Sequence, residues 1–83
     1  MKSSDYCTIL AEPIHSGLHI HVYEDDISAI QNAVSLSASM HHMPREMILQ
    51  GGEDALMERV KTEIAQHKGV YIRELLMASQ KGA

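Results

Sequence analysis

The sequence predicts an α+β domain. An N-terminal two-stranded β-hairpin, at about residues 6–11 and 18–23, packs on two main helices, at about 26–42 and 53–79, with a short helical turn at 44–50. Three observations predict it. "YCTILA" and "LHIHVY" are short runs of β-formers on either side of a segment containing Pro and Gly. After position 26 the apolar residues recur at spacings of three and four, the period of a helix. Pro44 and the Gly51-Gly52 pair then interrupt that pattern at two points.

The first strand is closed by Pro13, "EPIHSG" reads as the connecting loop, and two strands so joined read as a hairpin. Alternation places Cys7, Ile9 and Ala11 on an inner face with Leu18, Ile20 and Val22. His19, His21 and Tyr23 fall on the other face, which is either wet or turned to a partner. "EDD" ends the second strand. Asp25 or Asp26 can cap the first helix, and the acidic cluster suits the positive end of its dipole. Ile27, Ile30, Val34 and Ala38 would share one face of that helix, and Ala29, Ala33, Leu36, Met40 and Met43 a second stripe. A helix apolar over so wide an arc is sandwiched on two sides, and Ser35, Ser37 and Ser39 are small enough for close packing.

Pro44 ends this helix and can open the turn "PREMIL", which stops at Gly51-Gly52. Glu53 and Asp54 open the last helix with the correct charge sign. Met57, Val60, Ile64, His67, Tyr71, Leu75 and Ala78 then form one long seam. Arg59–Glu63 and Glu63–His67, each four apart, give it modest surface support. Gly69 is its weak point. Val70-Tyr71-Ile72 could begin a third strand, but the helix formers of residues 73–78 favour helix. Residues 1–4 and 81–83 are expected to fray.

Eighty-three residues make a single domain, 1–83, whose own core gives marginal stability. Cys7 is the only cysteine, so no internal disulfide can staple it. A lone thiol and no apolar leader lead us to expect a cytoplasmic protein. Self-association is the commoner remedy for so small a chain, and a homodimer is expected, with the last helix as the contact.

The net charge of −4 is unevenly placed. Residues 1–26 hold Lys2 against Asp5, Glu12, Glu24, Asp25 and Asp26, whereas the remainder balances six cations against six carboxylates. Such a chain has no electrostatic footprint for phosphate, so nucleic acid is a disfavoured partner. Acidity suits a protein that blocks a basic surface.

His19 and His21, two apart on a strand, project together and could begin a metal site. The remaining good donors are His15, His41, His42 and Cys7. Cys7 has the opposite parity, and the adjacent histidines at 41–42 would splay around a helix end. No metal and no cofactor is therefore expected. Catalysis could be imagined from Cys7 with a histidine, or from Glu12 or Glu24 with His21, but no motif positions either pair, and the protein is expected not to be an enzyme.

Over residues 18–68 the outline of one strand and two helices resembles a ribbon-helix-helix dimer. That resemblance implies a transcriptional regulator whose His19, His21 and Tyr23 read the major groove. The strand lacks the Lys or Arg such a reader would carry, and acidic residues follow it. The favoured expectation is a non-enzymatic regulator or inhibitor that binds another protein. In size and acidity it resembles bacterial and phage regulators that neutralise a repressor or an enzyme. Met40, Met43, Met47 and Met57 around the Pro44–Gly52 junction could form an adaptable contact patch, although core filling is the plainer role for methionine. Val60, Ile64 and Tyr71 on the seam, with His19, His21 and Tyr23 on the hairpin, complete the candidate contact residues.

Overall fold

The structure is a computed structural model that describes residues 5–81; the ends expected to fray lie outside that range except for Lys81. Its elements are β1 (Tyr6–Ile14), β2 (Gly17–Tyr23), α1 (Asp26–Gln31), β3 (Ser39–Pro44), α2 (Arg45–Ala65), β4 (Val70–Tyr71) and α3 (Ile72–Lys81). The strands form one sheet in the order β2-β1-β3-β4, with each neighbouring pair antiparallel. The α+β class and the N-terminal hairpin are as the sequence predicts. The sheet has four strands rather than two.

The hairpin is tighter than the six-residue loop implied. β1 runs on through Glu12, Pro13 and Ile14, and His15 and Ser16 alone make the turn. Pro13 fits a strand here because β3 covers β1 only as far as Ala11, so the proline has a neighbour on one side only. The register pairs Ile9 with Val22, Ala11 with Ile20 and Pro13 with Leu18. Directly opposed residues share a face, so the expected inner face is present. Val22 lies at its margin and is exposed.

The helix expected over 26–42 stops at Gln31. Asp25 caps its start, its Oδ1 accepting the Ser28 N–H at 2.8 Å. Asn32 ends it by donating its side-chain amide to the Ser28 carbonyl. The serines counted as small packing residues act instead as helix breakers. Ser35 Oγ accepts the Ser37 N–H, a local bond available only outside a helix. Residues 39–44 then pair along β1 as a strand, with Ser39, His41 and Met43 on one face and Met40 and His42 on the other. A fully buried strand and a buried helix have similar apolar content over so few residues, and the nonlocal pairing decides between them.

The break at Gly51-Gly52 is present. Gly52 has φ 73°, a left-handed conformation that suits glycine, and divides α2 into two helical segments. The last helix does not continue to residue 79. It ends at Ala65 with Gln66 as its cap; His67 then takes φ 60°, Lys68 N–H bonds the Glu63 carbonyl, and His67 N–H bonds that of Ile64. This pair of bonds is a Schellman stop. Gly69, at φ 94°, then turns the chain into β4. Residues 70–76 are thus strand first and helix afterwards.

β1 and β3 lie in the middle of the sheet, and helices cover both their faces. On one side α2 packs Leu56 and Val60 onto Cys7, Ile9, Ala11 and Met43, with Leu18, Ile20, Met47, Ile48 and Ile64 around them. On the other, α1 and α3 contribute Ala29 and Ile72 to a cluster with Leu10, Ala38 and Met40, flanked by Tyr23, Ala33 and Leu75. No helix among the described residues is long and apolar enough to cross a membrane.

Candidate functional site

The start of β1 and the junction of β3 with α2 meet at one end of the sheet, where two grooves share Tyr6. One, of 460 Å³, is lined by Asp5, Tyr6, Pro44, Arg45, Glu46 and Leu49. The other, of 380 Å³, is lined by Tyr6, Thr8, Glu24, Asp25, Asp26, Ile27 and His42. Tyr6, Ile27 and Leu49 are 55%, 68% and 77% exposed, and apolar exposure grouped along grooves is a mark of contact surfaces. Around them stand five carboxylates and one guanidinium, a balance equal to the −4 of the whole chain.

That rim is held in place. Arg45 donates to both Glu24 oxygens, at 2.6 and 3.4 Å, and its hydrogen bond and charge hold the Glu24 carboxyl below the usual carboxylate range. Asp26 Oδ1 accepts the Thr8 hydroxyl at 2.6 Å and lies 2.8 Å from His42 Nε2. The Thr8 bond, helped by His42 against the effect of burial, holds the Asp26 carboxyl low. Both carboxylates therefore stay charged through the neutral range; Asp26 ties the start of α1 to β1 and β3, and Glu24 ties the loop before it to the start of α2.

A second polar cluster lies at the hairpin turn. The register sets Glu12 opposite His19 and Leu10 opposite His21. Glu12 Oε1 is 3.1 Å from His21 Nε2 and 3.8 Å from His19 Nδ1, and the imidazole centroids are 4.3 Å apart. The sequence alone pairs Glu12 with His21 only as a possible acid and base. The two-residue turn supplies the register that joins it to both histidines.

The third cluster is buried. His41 Nδ1 lies 2.9 Å from Glu63 Oε1 and its Nε2 lies 2.8 Å from Ser39 Oγ, while Arg59 Nε donates to the other Glu63 oxygen at 3.2 Å. A carboxylate can only accept, so Nδ1 carries the proton, and in the neutral ring Nε2 accepts from the serine. The connectivity is that of a hydrolytic triad, but Ser39 is buried, pairs with Tyr71 and lines neither of the grooves above. Its evident effect is to clamp α2 to β3. Burial pushes the Glu63 carboxyl up, but His41 and Arg59 more than offset this and hold it below its ordinary 4.5. A carboxyl lowered in the folded state stabilises the fold above its unfolded value, and that contribution disappears as pH falls through the folded value. Denaturant melts from pH 6 to 2 should show wild type losing stability below about 4.5, with Glu63→Gln giving a flatter acid limb. Parallel acid limbs would contradict this assignment.

The candidate contact residues separate in the structure. Met40 and Met43 are buried on opposite faces of β3, and Met47 is half-buried against the α2-side core. Met57 lines a groove of 280 Å³ between β2 and α2. Val60 is fully buried and Ile64 partly so, so the first half of the seam faces the chain's own sheet. Tyr71 is exposed on β4, and His67 is exposed at the helix stop. His19 is exposed, His21 half-buried, and Tyr23 packs at the edge of the second core, its hydroxyl donating to the Asn32 carbonyl. The stretch "LHIHVY" pairs with β1 of its own chain and is followed by a helix of six residues, a different geometry from the ribbon outline. The sequence gives no sign of Tyr6 or Leu49 as surface residues and places Ile27 on a covered helix face, whereas α1 leaves it exposed; the acidic stretch around residues 24–26 is the feature that points to this end. No family model, no curated protein and no solved structure matches the chain.

Proposed function

We propose that this is a non-enzymatic, cytoplasmic regulator or inhibitor that acts by binding a basic segment of another protein. The observation that carries the reading is the double groove around Tyr6. Its apolar lining residues Tyr6, Ile27 and Leu49 supply area to desolvate, and the carboxylates that line it with them concentrate the negative charge of the chain. An apolar centre with a polar rim is the usual anatomy of a protein contact. Its sign rejects phosphate and draws in Lys- or Arg-rich surfaces at rates that fall with salt.

Capture from a cell lysate, repeated with purified components, tests the reading. Ile27 and Leu49 are exposed, so Ile27→Lys with Leu49→Lys should leave the fold intact while adding two repelling cations. A bound protein with a basic contact segment should be retained by wild type, weakened by salt and lost from the double variant. Retention by both forms, or a partner whose contact segment is acidic, would overturn the proposal. Self-association is part of the same proposal. The exposed Val70, Tyr71, Leu76 and Met77 of the last two elements offer the surface for it. Sedimentation at micromolar concentration should report at least twice 9.2 kDa, and a clean monomer would remove this part.

A further inference from the structure

The geometry points to a divalent transition-metal site of the zinc class on the hairpin, formed by Glu12, His19 and His21. Their ligand atoms all lie within 4.8 Å of one another. Zinc bonds to imidazole nitrogen and carboxylate oxygen are about 2.0–2.2 Å, which sets two ligands on one tetrahedral ion about 3.3 Å apart. The separations of 3.1 Å and 3.8 Å from Glu12 Oε1 bracket that value before any ion is present. Closing the set exchanges the hydrogen bond between His21 Nε2 and Glu12 Oε1 for a bond from each to the ion.

The backbone makes this convergence cheap. His19 and His21 alternate onto one face of β2, and Glu12 reaches them from β1 across paired strands, so the approach is fixed by the sheet. Glu12 and His21 are already half-buried, and only His19 remains mostly in water. Two neutral imidazoles and one carboxylate suit zinc and its neighbours in the transition series, whereas calcium and magnesium favour oxygen ligands. Three protein ligands leave a fourth position for water or an exchangeable donor. An ion there ties the open edge strand to the centre of the sheet, which is the kind of staple small domains use. This site is separate from the Tyr6 grooves, and neither reading depends on the other.

Zinc itself is the probe, added to tag-free protein and followed by calorimetry and by two-dimensional NMR. Wild type should bind one equivalent saturably at micromolar concentration. The backbone signals of Glu12, His19 and His21 should move, and those of His15, His42 and His67 should not. Zinc should also raise the melting temperature, as a ligand of the native state does. His19→Ala, at the most exposed of the three positions, should keep the fold and weaken binding by about tenfold or more. Glu12→Gln should weaken binding comparably. If the two variants bind as wild type does, if the shifts fall on other histidines, or if wild type does not saturate, the site is not there.

Discussion

Replacing Val60 with Asp should unfold the domain, with no folded species of lower mass on the way. The side chain is fully buried between Leu56 and the face made by Cys7, Ile9, Ala11 and Met43. A carboxylate placed there has no partner of opposite charge, and its burial costs several kcal/mol, roughly the whole stability of a domain this small. Taking up a proton lowers that cost, so any residual structure should be found in mild acid. Val60→Ala is the graded control and should lose about 1–3 kcal/mol, depending on how far the cavity collapses. Ile64→Asp, at a position that the sequence reading places in the subunit contact, should be milder than Val60→Asp, because Ile64 is only partly buried and its side chain can turn towards water. Circular dichroism with sedimentation distinguishes the outcomes. A folded monomer of Val60→Asp obtained from an associated wild type would restore the seam as a subunit contact.

Part of this architecture is legible in the residues alone. The β-formers of "YCTILA" and the strict alternation of "LHIHVY" give the two hairpin strands, and their parity gives the inner face. Gly51-Gly52 located the break in α2, because glycine carries its conformational meaning locally. β3 was hidden for the opposite reason. Met40 and Met43 fit a helical spacing as well as they fit two faces of a strand, and only pairing with β1, some thirty residues earlier, selects the strand. The adjacent histidines 41 and 42 follow from that choice. On a strand they point to opposite faces, one to Glu63 and the other to Asp26, and both acids are distant in sequence. The cluster on the hairpin was half legible. Its two histidines stood out, but joining Glu12 to them needs a register that depends on the exact length of the turn. The grooves around Tyr6 combine residues from β1, the loop before α1, α1 itself, β3 and α2, so the local charge run is their one visible trace.

Gly69→Ala should be the most damaging conservative change on the surface. The residue is exposed, and by exposure alone a methyl group there would be harmless. Two features argue otherwise. Its φ of 94° is a conformation that side chains with a Cβ rarely adopt. A methyl group would also stand 2.5 Å from His41 Cε1, 2.8 Å from its Nδ1 and 3.0 Å from the Met40 carbonyl oxygen. A free side chain could swing away, but His41 is fixed at both ring nitrogens, by Ser39 and Glu63. Displacing it leaves a half-buried carboxylate with Arg59 as its remaining side-chain partner and a buried hydroxyl without its acceptor. Backbone strain and the lost bonds together should cost about 3 kcal/mol, which for a domain of this size lowers Tm by roughly 15 °C. A double-mutant cycle identifies the cause. His41→Ala alone breaks the same network and should cost a comparable amount. If Gly69 is glycine chiefly to leave room for the imidazole, the double variant should be markedly less damaged than the two losses added, because the clash disappears with the ring. Strict additivity would mean that the backbone angle alone demands glycine, and a loss below about 0.5 kcal/mol for Gly69→Ala would mean that the close packing of this loop on His41 does not exist in solution.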